Sequence, residues 1–342
     1  MRSIIETERQ VTCPLCGTGG TPAYKGLQDR LFEAPGVWSL SACPACRALW
    51  LDPRPTEATV GEAYQTYYTH GATSSVSRLA NAAIVRVALE RAASVYGFGK
   101  RTWGLSLLYS LAARVYPGIA DHADSLIRHL PASVCGVGAK ILDVGCGDGN
   151  GVEFLNSLGW RASGVEIDPV AVQAARARGL DVLVGDLRSA GFADGSFDAV
   201  TSSHVLEHLH DPQSFFADSF RILRKGGVLV VSTPNASSEL LVRHGRDWRG
   251  LEPPRHIILY NAENLAKLAS DAALRDIQVK RTAHLASFMH IKSAYIANEG
   301  RPLSAWASLR LWVESKRLEA RMIRDVQLGR AEGTELTLIA RK

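Results

Sequence analysis

No window of this 342-residue chain reaches the run of about 20 predominantly apolar residues that a membrane-spanning helix needs. The most apolar window, WGLSLLYSLAARVYPGIA, is broken by Arg114, Pro117 and Gly118 and reads as a buried or interfacial helix. The opening MRSIIETERQ turns charged early, which argues against a secretory signal and sets the expectation of a cytoplasmic protein. No internal repeat and no low-complexity run stands out. Neither sign of charge is in large excess, with 39 Lys and Arg against 34 Asp and Glu. The formal net charge of +5 is compatible with an anionic substrate but falls short of a nucleic-acid-binding signature. With 46% hydrophobic and 21% charged residues, the chain can build one large globular domain plus a smaller one.

Cysteine is sparse, yet four of the six form two matching knuckles, Cys13 and Cys16 in CPLCG and Cys43 and Cys46 in CPACR. Each C-P-x-C turn aims two thiolates at one point, and two such turns close a tetrahedral site suited to structural zinc, with no position left for a reactant. A redox dithiol and a pair of disulfides are the alternatives, and neither accounts for the proline shared by both knuckles. The gap between the pairs is longer than usual for a zinc ribbon and leaves room for an extra hairpin around LFEAPGVWSL. Residues 1–60 therefore read as a zinc-ribbon-like module. A unit that small has little core of its own, and structural zinc contributes on the order of 10 kcal/mol of apparent binding free energy to such modules. Cys135 and Cys146 stand apart and read as small buried apolar residues rather than catalytic thiols.

Residues 61–136 read as a helical connector or lid. It opens on an aromatic cluster, Tyr64, Tyr67, Tyr68 and His70, that either lines a pocket or packs, and continues in a helical pattern over about 77–130. From residue 137 to 342 short apolar strands alternate with helices: KILDVG, RASGVEI, DVLVGDL, FDAVTSS, GGVLVVSTPN, IQVKRTA and ELTLIAR. That alternation predicts an α/β fold with a mostly parallel sheet, helices on both faces and ligands at the carboxyl ends of the strands. A helical insertion at about 285–333 separates the last two strands.

The stretch ILDVGCGDGNG, Ile141 to Gly151, is the densest signal in the chain. Its alternating Gly145, Gly147 and Gly149 allow a sharp strand-to-helix turn close to a ligand. Asn150 stands where the third glycine of a dinucleotide fingerprint would be, so a pyrophosphate cradle is disfavoured. Asp143 suits a cationic ligand better than a pyrophosphate.

This stretch resembles the first motif of class I S-adenosylmethionine-dependent methyltransferases. The resemblance implies a Rossmann-like sheet with an antiparallel strand near the C-terminus. It also implies that the glycines approach the amino-acid part of the cofactor while Asp143 helps hold its ammonium group. GVEIDP then supplies Glu166 for the ribose hydroxyls, with Asp168 just beyond, and VGDL supplies Asp186 for the adenine amino group, with Leu187 against the ring. FDAVTSSHVLEHLHDP and RILRKGGVLVVSTPN match the fourth strand with its loop and the following helix and strand. The cofactor residues so implied are Asp143, Gly145, Cys146, Gly147, Gly149, Glu166, Ile167, Asp186, Leu187, Ser203 and His204. Taken singly, Glu166 or Asp186 could equally be a solvated loop carboxylate. The resemblance covers roughly residues 139–283 and speaks to the cofactor rather than the acceptor.

Methyl transfer from a sulfonium is a direct displacement, so alignment of nucleophile, methyl and sulfur is what the protein must provide. A hydroxyl nucleophile also benefits from a base, and the HVLEH loop, near where the family places substrate, offers His204, Glu207 and His208, with the two histidines four residues apart. Related quinone O-methyltransferases use acidic and histidine residues of this loop for a divalent ion. This chain has His204 where they have a glutamate, which puts metal dependence in doubt, and the loop could instead simply pack and cap a helix. The second candidate is GRDWRGLEPPRHIILYN, where Pro253 and Pro254 stiffen the chain before Arg255 and His256. His256 is expected as general base and Arg255 as the group orienting an anionic or hydroxyl-rich acceptor. Trp248 could stack on a sugar or ring, and Tyr64 and Tyr67 are further candidates for substrate contact. The bland alternative is a loop that caps the sheet and pairs its arginines with nearby acids.

WRGLEPPRH together with the cysteine knuckles resembles a bacterial methyltransferase group associated with cell-envelope polysaccharide and lipid-glycan assembly. That resemblance implies O-methylation of a glycan or lipid-linked intermediate, with a quinone or polyketide-like small molecule as the rival acceptor. A peripheral membrane contact is compatible with the helical segment and the mild positive charge. RNA is disfavoured, because only Lys25 and Arg30 are cationic between the knuckles. A scaffold that merely binds cofactor would show damage in the first motif, and none is visible.

Overall fold

A computed structural model of the chain describes residues 5–65, 118–131, 136, 138–283 and 285–342. The N-terminal part carries five short strands: β1 (Thr7–Glu8), β2 (Thr21–Leu27), β3 (Trp38–Ala42), β4 (Leu49–Leu51) and β5 (Arg54–Pro55). Strands β1 and β5 pair with each other, and β2, β3 and β4 form an antiparallel meander. The two knuckles are built alike. Gly17 and Arg47 donate backbone N–H groups to the carbonyls of Cys13 and Cys43, each at 2.9 Å. Both turns close through a left-handed residue, Gly17 at φ 75° and Arg47 at φ 61°.

After α1 (Gly118–Leu126) the chain alternates strand and helix through β6 (Lys140–Val144), α2 (Asn150–Ser157), β7 (Arg161–Glu166), α3 (Pro169–Ala177), β8 (Val182–Val184), β9 (Phe197–Ser203), α4 (Pro212–Ile222) and β10 (Leu223–Pro234). It continues with α5 (Glu239–His244), β11 (Ile258–Leu259), α6 (Ala262–Asp271), β12 (Arg275–Thr282), α7 (Ala286–Ala297), α8 (Ala305–Gln327) and β13 (Glu335–Arg341). Helix starts follow capping chemistry. Asp168, with Pro169 behind it, accepts from Val170 N, and Asn261 and Asn264 form a reciprocal capping box.

The main sheet has the order β12-β13-β10-β9-β6-β7-β8. Its five strands from β10 to β8 are parallel, and β13 runs antiparallel between β10 and β12. Alternation along the central strands puts helices on both faces. Ile141, Val228 and Val230 pack with Val152 and Leu155 of α2 and Val172 and Ala175 of α3. Leu142, Val144, Leu229 and Val231 face the other way, into a core shared with Phe216 and Ile222 of α4 and Leu265 of α6. The strand order reverses about β6 and β9, which opens a crevice at their carboxyl ends.

The N-terminal unit is joined to this domain through its own sheet. Strand β11, far along the chain, pairs antiparallel with β4, placing Ile258 opposite Trp50 and Leu259 opposite Leu49. A third core binds Leu27, Trp38, Leu40 and Leu51 to Leu240, Trp248, Leu259, Met289 and Met322. The expected 1–60 unit thus shares strand and core with the segment that carries His256. Most of the expected 61–136 connector lies outside the described residues, and α7 and α8 occupy the expected insertion. No helix among the described residues is long and apolar enough to cross a membrane.

Candidate functional site

The glycine turn lies at the carboxyl end of β6, on the crevice. Gly145, Gly147 and Gly149 all have left-handed φ, at 68°, 57° and 81°, a conformation that costs any residue with a Cβ. A Cβ on Gly147 would meet nothing within 4 Å, so its backbone faces open space, whereas one on Gly145 would strike Val205. Glu166 is fixed at the end of β7 by two backbone amides: Gly147 N donates to Oε2 at 2.9 Å and Asp168 N to Oε1 at 3.0 Å. Asp186 accepts from Ser189 N and Oγ, both at 2.7 Å, and these bonds hold its carboxyl below the usual range. Cradle, Glu166 and Asp186 therefore stand at successive strand ends.

Asp143 is 1% exposed and carries two partners that its motif does not announce. Thr201 Oγ1 donates to its Oδ1 at 2.8 Å, and Arg128 Nη2 to its Oδ2 at 2.7 Å. A Cβ on Gly151 would sit 2.5 Å from Arg128 Nη2 and 2.9 Å from Asp143 Oδ2, so this glycine lets the start of α2 pass over the pair. Cys146 is an interior group: burial, reinforced by Asp143 and Glu166, pushes its thiol up to about 12. Leu187, expected against an adenine ring, is 4% exposed and belongs to the core. Ile167, just past the end of β7, is 69% exposed.

Beyond the ends of β9 and β10 the structure gathers Glu207, His208 and His256, whose ligand-type atoms all lie within 4.8 Å of one another. Glu207 is fully buried and accepts from Thr233 Oγ1 at 3.0 Å. Burial works against its charge, but His204, together with His208 and His256, holds its pKa down at about 2. His208 Nδ1 lies 2.9 Å from the Arg255 carbonyl and 3.0 Å from Tyr64 Oη. His256 Nδ1 donates to the Gly250 carbonyl at 2.7 Å, which leaves Nε2 toward Glu252 at 3.3 Å and Glu207 at 3.9 Å. Burial pushes the His256 pKa down to about 4, so its imidazole is neutral near pH 7. Backbone carbonyls that orient two imidazoles beside a carboxylate make a donor set able to hold a divalent cation.

Three expected site residues have other partners in the structure. His204 lies between two carboxylates. Its Nε2 meets Glu335 at 2.8 Å and its Nδ1 meets Glu207 at 3.3 Å. Burial disfavours its charge, but the two carboxylates outweigh burial and raise its pKa to about 10. Arg255, expected to orient an acceptor, is wholly buried. Its guanidinium donates to Asp29 at 2.7 Å, to Glu252 at 3.0 Å and to the Ala63 carbonyl at 2.8 Å. Trp248, expected to stack on a sugar, is 1% exposed, lies in the third core against Gly250, and has no open ring face. Tyr67 lies outside the described residues. A cavity of about 30 Å³ beside Asp29, Trp248 and Arg255 has room for a water or two and not for an acceptor.

Asp29 and Glu252 are the site-supporting residues that sequence reading missed. Asp29, in the loop between β2 and β3, accepts from the amides of Leu31, Phe32 and Ala34 while pairing with Arg255. Glu252 binds both Arg249 and Arg255 and faces His256. Its carboxyl lies well below the usual range, because these cations outweigh burial. The chain around His256 is further held by Ile257 N donating to the Glu207 carbonyl at 2.7 Å and Asn261 Nδ2 donating to the Cys46 carbonyl at 2.8 Å. The four cysteines converge: Cys13 Sγ lies 3.6 Å from Cys46 Sγ, and Cys16 Sγ lies 3.4 Å from Cys43 Sγ. All four Sγ atoms fall within 4.8 Å. Sulfurs around tetrahedral zinc stand about 3.8 Å apart, given Zn–S bonds of about 2.3 Å, so the donor set fits that ion.

Comparison with known proteins agrees with this geometry. Residues 119–279, just under half the chain, match a family described as a methyltransferase domain. A probable S-adenosylmethionine-dependent methyltransferase of Mycolicibacterium smegmatis is 34% identical over 166 residues, covering 46% of this chain and 62% of the relative. A ubiquinone biosynthesis O-methyltransferase of Xanthomonas oryzae pv. oryzae is 40% identical over 105 residues, covering 29% of this chain and 44% of the relative. The chain thus spans less than two thirds of the length of these relatives. A solved S-adenosylmethionine-dependent methyltransferase of Archaeoglobus fulgidus aligns at a TM-score of 0.45 and 19% identity, over 68% of this chain and 99% of that one, which adds nothing to the sheet order itself.

Proposed function

We propose that this chain, whose residues 119–279 form a class I methyltransferase domain, uses S-adenosylmethionine to methylate a hydroxyl oxygen. The observation that carries this reading is the juxtaposition of two groups along one crevice. Left-handed Gly145, Gly147 and Gly149 lie beside amide-anchored Glu166, and the Glu207–His208–His256 cluster lies beyond the neighbouring strand ends. In this account Glu166 takes the ribose hydroxyls, Asp186 the adenine amino group, and the Asp143–Arg128 pair the zwitterionic end of the cofactor. S-Adenosylmethionine supplies the electrophilic methyl. The protein supplies alignment, and positioning of this kind is worth about 7–11 kcal/mol of barrier.

His256 and His208 each use Nδ1 on a backbone carbonyl, which leaves Nε2 of His256 among the Glu252 and Glu207 carboxylates and Nε2 of His208 as the second ring nitrogen of the cluster. Glu207 adds a carboxylate, and Tyr64 Oη closes the cluster beside His208. Such groups receive a proton from an acidic hydroxyl. A phenol, with a pKa of about 10, gives up its proton to weak bases far more readily than a sugar hydroxyl does. Phenolic or quinol acceptors therefore lead, in keeping with the relative named as a ubiquinone biosynthesis O-methyltransferase. A divalent cation held by Glu207, His208 and His256 would polarise the acceptor oxygen further. The glycan reading stands second. It draws on the WRGLEPPRH resemblance, and Trp248 no longer supplies a stacking surface for it. Structural zinc on Cys13, Cys16, Cys43 and Cys46 completes the account by holding the sheet to which β11, next to His256, is added.

Incubation with methyl-labelled cofactor and two acceptor panels, catechols and quinols in one and hydroxylated oligosaccharides in the other, tests this reading. Label in the phenolic panel that drops in Glu207→Gln supports it. Label only in the oligosaccharides reverses the order of the two acceptor classes, and label in neither under cofactor saturation rejects both.

A further inference from the structure

Helices α5, α7 and α8 form a layer attached to the segment that carries His256. His244 Nε2 lies 2.9 Å from His290 Nδ1, Arg249 N donates to Ser293 Oγ at 2.9 Å, and Arg321 of α8 pairs with Glu239 of α5. The packed side of α8 carries Ser315, Leu318 and Met322, all buried. At about 100° per residue, Trp306, Leu309 and Val313 fall on the opposite side, with Arg310, Lys316 and Arg317 interleaved among them.

That outer stripe is open. Trp306 is 72% exposed, Leu309 50%, and Trp312 at its margin 53%. In the same helical layer, Phe288 of α7 is 44% exposed with Lys292 Nζ 6.0 Å from its ring centroid, and Val242 of α5 is 87% exposed. Glu314 is the one acid in the first half of α8, and it turns toward Arg243 of α5. The stripe presents indole and aliphatic side chains with Arg310 and Arg317 among them, while Lys316 at its edge pairs with Glu319 at 2.9 Å. Large apolar side chains exposed along one helix face mark an interaction surface, and tryptophan flanked by arginine matches the boundary between acyl chains and anionic headgroups.

We propose that the outer face of α8 docks on an anionic lipid bilayer, the helix lying in the interfacial plane. Charge complementarity selects the occupant: the cations meet lipid phosphates while Trp306, Leu309 and Trp312 enter the acyl boundary. Because α7 is bonded to the chain at Arg249, docking would tether the domain that carries the candidate site to the membrane, where apolar acceptors or lipid-linked glycans reside. The inference does not depend on which acceptor is methylated.

Co-sedimentation of the full-length, zinc-loaded protein with phosphatidylcholine vesicles, with and without phosphatidylglycerol, tests it. Binding should require phosphatidylglycerol, weaken as salt is added, and fall by about tenfold or more in Trp306→Ala/Trp312→Ala and in Arg310→Glu/Arg317→Glu. All four side chains are exposed, so both variants should keep the wild-type circular dichroism spectrum. Absence of binding to anionic vesicles overturns the proposal. So does binding that both variants retain, which moves the contact off α8. A concentration-dependent dimer abolished by Trp306→Ala/Trp312→Ala, with no vesicle binding, also overturns it and gives the surface to a second copy of the chain.

Discussion

Replacing Asp29 with asparagine tests how the N-terminal unit supports the candidate site. The wild-type carboxylate is 4% exposed and spends one oxygen, Oδ1, on Leu31 N and Phe32 N at 3.1 and 3.0 Å. The other, Oδ2, accepts from Ala34 N at 3.1 Å and Arg255 Nη2 at 2.7 Å. Asparagine keeps an acceptor for the first pair but turns an amide donor toward two donors, one of them a fully buried guanidinium. Breaking a buried ion pair costs about 3–5 kcal/mol, and because Glu252 still neutralises Arg255, the lower end, about 3 kcal/mol, is expected. Urea unfolding of zinc-loaded wild type and Asp29→Asn measures the difference. The same variant should lose methyl transfer more than cofactor binding, since Arg255 adjoins His256. Asp29→Asn/Arg255→Met should recover part of the stability, because the asparagine oxygen still accepts from Leu31 and Phe32, the guanidinium is gone and Glu252 keeps Arg249. A loss below about 1 kcal/mol in Asp29→Asn, with turnover unchanged, would refute the claim that this pair joins the unit to the site.

Three further outcomes follow from the geometry. His256→Ala should lower turnover by about 10²–10⁴-fold while S-adenosylhomocysteine affinity is kept, and steady-state kinetics with calorimetry would separate the two. Elemental analysis should find about one zinc per chain, and Cys13→Ser should lose it together with the N-terminal sheet; a variant retaining both would defeat the zinc assignment. Iodoacetamide near neutral pH should leave Cys146 of the folded protein unmodified, because its buried thiol is pushed up to about 12; rapid labelling seen by mass spectrometry would contradict that burial.

Local chemistry was legible in the sequence where it depends on neighbours along the chain. The apolar runs of β6, β7, β9 and β10, the alternating glycines and the carboxylates at strand ends are written in short segments, and the sheet and cradle could be anticipated from them. Long-range pairing was not legible. Asp29 meets Arg255 across 226 residues, and β11 joins β4 although neither strand advertises a partner. Trp248 shows a related limit: an indole reads alike in sequence whether it packs in a core or stacks on a ligand, and only its 1% exposure separates the two. His204 is the sharpest case. Its motif suggests a base, but its pKa is raised by Glu207 together with Glu335, which lies 131 residues away.

Binding of S-adenosylhomocysteine to the purified protein, measured by titration calorimetry in wild type and Glu166→Ala, tests the central claim most directly. The account predicts saturable binding to the wild type that weakens by about tenfold or more when the amide-anchored carboxylate is removed. Absence of binding by the folded wild type, or unchanged affinity in Glu166→Ala, would contradict the assignment of this crevice to the methyl-donor cofactor.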